Sequence, residues 1–97
     1  MENREIRVGD IVKHFKRQFE FVSQDSTMYL YKIIAFAQHT ETGENLVIYQ
    51  ELYSPFKICA RPYDMFMSKV DKLKYPDAKQ EYRFEVVQTE TIEVNEK

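Results

Sequence analysis

The chain has 97 residues and a formal charge of −2, and its single cysteine excludes a disulfide-stabilised secreted scaffold. The start lacks the apolar run of a signal peptide, and the longest apolar run, residues 33–37, is too short to span a membrane. These features predict a soluble cytoplasmic protein that does not contact membranes. The length predicts a single domain, 1–97, with an ordered core over about 8–88 and a frayed tail over 89–97.

The first half of the chain is rich in residues that favour strands. Segment 10–22 begins with a β-like alternation, and the polar residues 23–27 predict a loop. Segment 28–40 is the strongest strand candidate, because it combines Tyr, Ile and Phe without a proline or glycine. Both of its faces are apolar in the middle, which is typical of a long bent strand serving both sides of a small barrel, or of a strand that is covered on both faces.

Residues 41–44 form a polar turn in which Gly43 is able to adopt a positive φ. A second strand over 45–53 follows, so the pattern predicts an antiparallel hairpin. The Ser54-Pro55 pair ends this strand, since proline cannot donate to a central ladder. A short third strand is expected over 56–60.

A helix of about two turns is predicted after Pro62. The residues at helical spacing on its apolar face are Tyr63, Phe66, Met67 and Val70. A polar loop over 74–80 and a closing strand over 82–87 complete the chain. About five strands with one short helix predict a mostly β fold, either a small bent antiparallel sheet or an SH3-like barrel.

Four short blocks of this sequence resemble a family of short bacterial proteins catalogued as a domain of unknown function. The blocks are His14-Phe15-Lys16, His39-Thr40-Glu41-Thr42, Val47-x-Tyr49-Gln50-x-Leu52-Tyr53 and Arg61-Pro62-x-x-Met65-Phe66. The resemblance covers roughly residues 8–70 and implies a compact β-rich domain. It implies no established activity, cofactor or partner.

The chain departs from this family pattern at three places. Arg17 and Ser54-Pro55 stand where the family has a glycine, and Cys59 occupies the region of a common tryptophan. If that tryptophan lines a binding surface in relatives, the surface is altered in this chain.

His14, His39 and Glu41 are the candidates for metal ligands or an acid/base pair. A third group is missing from the pattern, so neither a metal site nor a cofactor is predicted. The favoured interpretation is that His39 forms hydrogen bonds at the hairpin mouth and stabilises the turn. His14 lies near Lys16 and Arg17, which predicts a solvated basic edge strand.

Arg61 follows an apolar strand and precedes the predicted helix, where its side chain is held in place. One hypothesis is that it binds a carboxylate or phosphate through its two-pronged guanidinium. The alternative is a structural salt bridge; the acceptors considered are Glu41, Glu51 and Asp64.

Tyr49 and Tyr53 are the candidates for an aromatic binding surface. The chain contains seven Tyr and seven Phe, more rings than so small a barrel can enclose. Some rings are therefore expected at the surface, where they would bind a peptide, a base or a cation. The alternative is that both tyrosines pack in the core with their hydroxyls at the rim.

These observations favour a binding module that recognises a protein or peptide segment through Tyr49, Tyr53 and Arg61. A nucleic-acid binder is the second hypothesis, disfavoured by the negative net charge; its phosphate track would comprise Lys13, Lys16, Arg17, Lys69, Lys72, Lys74 and Lys79. A third hypothesis assigns the same aromatic rings to a homodimer interface. An enzyme using His39 and Glu41 ranks last, because no nucleophile, metal set or cofactor loop accompanies them.

Overall fold

The computed structural model describes residues 4–87, which form one antiparallel sheet of five strands. The strands are β1 (Ile11–His14), β2 (Leu30–Gln38), β3 (Asn45–Glu51), β4 (Ile58–Pro62) and β5 (Phe84–Val86). Their order across the sheet is β4-β3-β2-β1-β5. A 3-10 helix, Phe15–Phe19, follows β1, and the short helix α1, Tyr63–Phe66, follows β4.

The predicted mostly β class and bent antiparallel sheet are confirmed. The sheet is not closed, because β4 and β5 are its two edges and do not pair with each other in the described part of the chain. Of the two architectures expected, the open sheet is therefore the one formed. The prediction of a frayed tail over 89–97 lies outside the described residues.

The β2–β3 hairpin forms as predicted, and its last pair is Gln38 with Asn45. Gly43 adopts a φ of 78° in the turn, a conformation that costs glycine little. The register passes from Ile33 opposite Tyr49 to Ala35 opposite Ile48, so one residue is inserted at this point. Such a bulge bends the strand, which accounts for the apolar character of both faces of β2.

The core lies on one face of the sheet. Phe84 and Phe66 stack at its centre with ring centroids 4.1 Å apart and planes within 3°. The other members of this cluster are Ile6, Val12, Tyr31, Ile33, Val47 and Tyr49. Along β2 and β3 the buried residues are two apart, as expected for strands with one buried face.

Helix α1 is one turn long, so the predicted length of about two turns was wrong. Ser68 donates its side-chain hydroxyl to the carbonyl of Met65 and ends the turn. Lys69 then forms an antiparallel bridge with Tyr82, and the amide of Val70 donates to the carbonyl of Glu81. Cross-strand pairing with a distant segment thus replaces the helix that the local spacing favours.

β1 is an interior strand, so the predicted solvated edge was wrong. It pairs with β2 on one side and with β5 on the other. The strand that pairs with its second side, β5, comes from the far end of the chain. No local pattern around β1 reveals this pairing. After His14 the chain leaves the sheet through the 3-10 helix.

A second, smaller core joins the 3-10 helix to the loop after α1. It contains Phe15, Val70 and Ala78, with Tyr75 packed against them. Gln18 connects the two segments, because its amide donates to the carbonyl of Asp77 and accepts from the amide of Lys79, both at 2.7 Å.

The third strand, predicted over 56–60, is shifted by two residues. Phe56 has a φ of 61°, which is incompatible with a strand, and β4 begins at Ile58. Over residues 4–87, no helix has the length and apolar character needed to cross a membrane.

Candidate functional site

A basic cleft of about 360 Å³ lies between β4, the 3-10 helix and the loop after α1. We refer to it as the basic cleft; its lining residues are His14, Phe15, Lys16, Arg61, Val70, Asp71, Lys74, Tyr75 and Arg83. Four cations and one carboxylate line it, so with a neutral His14 its formal charge is +3, in a chain of net charge −2. The cleft is therefore the natural candidate for binding an anionic group.

Four separate parts of the chain supply the cations of the basic cleft. Lys16 comes from the 3-10 helix, Arg61 from β4, Lys74 from the loop after α1, and Arg83 immediately precedes β5. Hydrogen bonds between backbone groups connect these parts of the chain. The amide of Phe15 donates to the carbonyl of Arg83 at 2.9 Å, and the amide of Arg83 donates to the carbonyl of Ser68 at 2.9 Å.

The four cations of the cleft have no ion-pair acceptor within 4.0 Å among residues 4–87. The two ion pairs in this range join Arg7 to Glu5 and Lys69 to Glu81. Asp71, the carboxylate of the cleft, accepts the backbone N–H groups of Leu73 and Lys74 with its Oδ1 atom. The positive charge of the cleft is thus largely uncompensated by the residues that the structure describes.

His14 lies at the inner end of the cleft and is only 9% exposed. Its Nδ1 atom accepts the backbone N–H of Lys16 at 3.1 Å and so caps the 3-10 helix. Burial, and then the neighbouring charges of Arg61, Arg83 and Lys16, lower the pKa of His14 from 6.5 to about 4. At neutral pH the imidazole is therefore uncharged, and with Nδ1 as acceptor its proton is on Nε2.

Arg61 is held by two aromatic rings. Its Nε atom donates to the hydroxyl of Tyr49 at 3.2 Å, and its guanidinium carbon lies 5.5 Å from the ring centroid of Phe84. Both contacts orient the guanidinium and leave its terminal nitrogens for another acceptor. The predicted salt-bridge alternative, to Glu41, Glu51 or Asp64, is not formed in the described part of the chain.

The two tyrosines chosen from the sequence have different surroundings. Tyr49 is 5% exposed and packs against Phe66 and Phe84, so it is a core residue that contributes its hydroxyl to Arg61. Tyr53 is half-buried, and its hydroxyl shares a hydrogen bond of 2.6 Å with that of Tyr31. Burial is the main cause that raises the pKa of both Tyr31 and Tyr53. The aromatic cluster thus contacts the cleft through the hydrogen bond between Arg61 and Tyr49.

His39 and Glu41 lie at the tip of the β2–β3 hairpin and do not line the basic cleft. The Nδ1 atom of His39 accepts the backbone N–H groups of Glu41 and Thr42 at 3.1 and 3.3 Å. These two hydrogen bonds correspond to the turn-stabilising role that the sequence favours for His39. The structure therefore brings His14, Tyr49 and Arg61 together and leaves His39 and Glu41 apart from them.

Three cations of the cleft, Lys16, Lys74 and Arg83, are not predicted as site residues by the sequence. Its pattern places Lys16 and Lys74 only in a lysine track and assigns no role to Arg83. One signal was present, since Arg83 precedes Phe84 in an alternating strand and so faces away from the buried side of β5. Nothing local, however, places these residues next to Arg61.

A larger cleft of about 480 Å³ lies beside the β2–β3 hairpin. It is lined by Phe36, Ala37, Gln38, Asn45, Leu46 and Tyr63, none of which carries a charge. Within residues 4–87 no group of three or more His, Cys, Asp or Glu side chains is placed to hold a metal ion. The basic cleft, which is lined by four cations, is therefore the better candidate of these two clefts for a functional site.

The chain forms a small, open antiparallel β domain that carries the basic cleft. The sequence pattern of the family described as "Protein of unknown function (DUF1653)" matches residues 10–86, and the chain belongs to that family. The comparison with curated proteins found no match, and neither did the comparison with solved structures.

Proposed function

We propose that this domain is a binding module that recognises a protein or peptide segment carrying an anionic group, and that the basic cleft is its binding site. The observation that supports this proposal is the convergence on one cleft of four cations that have no ion-pair acceptor within the described range 4–87. Holding like charges together without compensation lowers stability, so such a cluster is typical of a site that gains an anion on binding.

The shape of the cleft favours a group that enters from one side. Phe15 and Val70 line it and are only 3% and 5% exposed, so they form an apolar floor. A nucleic-acid strand would need a continuous track of cations instead. Two lysines of the predicted track are engaged elsewhere, because Lys69 pairs with Glu81 and Lys72 donates to the carbonyl of Ala78 at 2.8 Å. Both points favour a peptide segment over a polynucleotide.

The test is affinity capture from the native cell extract, with and without nuclease. The wild-type chain is compared with an Arg61→Gln, Arg83→Gln double variant whose folding is verified by thermal unfolding. Lys32→Gln is the matched control, since Lys32 is exposed on β2 and lies between two buried residues that face the core.

We expect a protein that is captured by the wild type and the control, survives nuclease, and is lost in the double variant. Capture that disappears after nuclease treatment would replace the proposal with the nucleic-acid hypothesis. Capture that is equal in all three chains would remove the basic cleft from the function.

A further inference from the structure

The basic cleft contains a buried hydrogen-bond donor that has no acceptor among residues 4–87. His14 is only 9% exposed, and its Nδ1 atom already accepts the amide N–H of Lys16. No hydrogen bond to its Nε2 atom is formed by the rest of the described chain. Buried donors are nearly always satisfied in native proteins, so this N–H indicates an acceptor from outside the described residues.

The other polar groups of the cleft are also donors. Arg61 uses its Nε atom on Tyr49, and Arg83 uses its Nε atom on the hydroxyl of Ser68 at 3.3 Å. Within residues 4–87 the terminal nitrogens of both guanidinium groups bond no acceptor, and neither do the ammonium groups of Lys16 and Lys74. The cleft therefore fits a compact ligand with several acceptor oxygens and more than one negative charge.

Resting on the proposed function, we infer that the anionic group bound in the basic cleft is the phosphate of a phosphomonoester, with the Nε2–H of His14 donating to one phosphate oxygen. A phosphomonoester has a charge of about −1.5 to −2 at pH 7 and three strong acceptor oxygens, which match two guanidinium forks and an imidazole N–H. A carboxylate has one charge and two oxygens, so it would leave more of the +3 charge of the cleft uncompensated than a phosphomonoester does.

A phosphodiester fits the cleft less well than a monoester. Each phosphodiester has one negative charge, and its chain must continue on both sides of the phosphorus. Phe15 and Val70, which line the cleft, are apolar and nearly buried, so they offer no polar contact to a second ester chain. A terminal phosphate, in contrast, enters end-on and presents three oxygens to the donors around it.

The test is an NMR titration of the full chain at pH 7 with inorganic phosphate and, separately, with sodium acetate at equal ionic strength. Binding of phosphate should shift the imidazole ¹⁵N resonances of His14 and the backbone amide of Lys16. We expect acetate to bind roughly tenfold more weakly, because it offers one charge less and fewer acceptors. Phosphate that leaves the His14 resonances unchanged, or acetate that binds equally well, would overturn the inference.

Two variants and a control identify the donors. His14→Phe removes the imidazole N–H, and Arg83→Gln removes one cation near the surface; each should weaken phosphate binding roughly tenfold or more. Lys32→Gln should leave it unchanged. If His14→Phe does not fold, Arg83→Gln alone decides, and an unchanged phosphate affinity in that variant contradicts the inference.

The source of the phosphate is then distinguished with three competitors. A phosphoserine peptide that competes with inorganic phosphate more strongly than its unphosphorylated counterpart would support a phosphorylated protein segment. Phenyl phosphate that competes as well as the peptide would support the same phosphate chemistry with a small-molecule source. An oligothymidylate without terminal phosphates that competes best would overturn the monoester in favour of nucleic acid.

Failure of this inference is separable from failure of the proposed function. If phosphate does not bind but the Arg61→Gln, Arg83→Gln variant still loses its captured protein, the binding module remains and its anion is not a phosphate. If both results are negative, the basic cleft is not a binding site.

Discussion

The imidazole of His14 is neutral because burial and three neighbouring cations disfavour its charged form. The same residue in an unfolded chain takes up a proton near pH 6.5. One side chain thus serves three purposes: it caps the 3-10 helix, packs 4.9 Å from the ring of Phe84, and lines the basic cleft. Its chemistry follows from its tertiary neighbours rather than from its residue type.

The low pKa of His14 predicts a loss of stability in mild acid. Between about pH 6.5 and pH 4 the unfolded chain binds a proton at His14 that the folded chain does not, so the free energy of unfolding falls as the pH falls through this window. The size of this contribution is on the order of 3 kcal/mol.

Urea unfolding of the wild type and of His14→Phe at pH 7 and pH 4.5 measures this effect. The wild type should lose more stability between the two pH values than the variant does. Equal losses in the two chains would show that His14 does not stay neutral in the fold.

Phe56 adopts a left-handed backbone conformation, with a φ of 61°. The residue is 55% exposed, so the core does not require its ring. A bulky residue in this region is strained, whereas asparagine tolerates it. Phe56→Asn should therefore raise the free energy of unfolding by up to about 1 kcal/mol. Urea unfolding checks this, and a clear loss of stability would mean that the exposed ring makes an important contact.

At the scale of elements, the β2–β3 hairpin and the segment after α1 behave differently. The hairpin is local: its strands, turn and register depend on residues close in sequence, and it forms as the sequence predicts. The segment after α1 pairs with residues around Tyr82 instead, and the helix is cut to one turn. Long-range pairing is more favourable there than a longer helix, because it also buries Val70 in the second core.

His39 connects the hairpin turn to its strand, so its removal should weaken the hairpin and nothing else. In His39→Ala the N–H groups of Glu41 and Thr42 lose their acceptor, but both are exposed and can bind water. We expect a loss of about 0.5–1 kcal/mol in unfolding free energy and faster amide exchange at the turn.

Phosphate binding by His39→Ala should equal that of the wild type, because the hairpin tip does not line the basic cleft. A variant that folds but loses phosphate or its captured protein would bring His39 back as a site residue.

For the whole molecule, Phe84 connects the two edges of the open sheet. It belongs to β5, yet the guanidinium of Arg61 from β4 lies over its ring. The sheet therefore curls enough for its edge strands to approach through side chains, although no backbone pairing closes it. The basic cleft lies where these edges approach, so the integrity of the core and the geometry of the site are linked.

Truncation of this central ring should destabilise the whole domain. Phe84 is 1% exposed and contacts rings from several strands, so Phe84→Ala should cost about 3–5 kcal/mol. Val86→Ala on the same strand is the control, since Val86 is 47% exposed and should cost well under half as much.

Urea unfolding with both variants distinguishes the two positions. Similar losses would mean that the stability of β5 depends on strand pairing rather than on the packing of Phe84.

Local pattern in the sequence predicts the β class, the hairpin and most of the strand positions, because these depend on alternation and turn residues within a few positions of each other. It also indicates that Arg61 is a held cation and that His39 stabilises the turn. The interior position of β1, the burial of Tyr49, and the cleft that Arg61 shares with Arg83 become apparent in the folded chain alone. Those facts depend on contacts between residues far apart in the chain, and such contacts are selected by how strands pair and rings pack, not by local spacing.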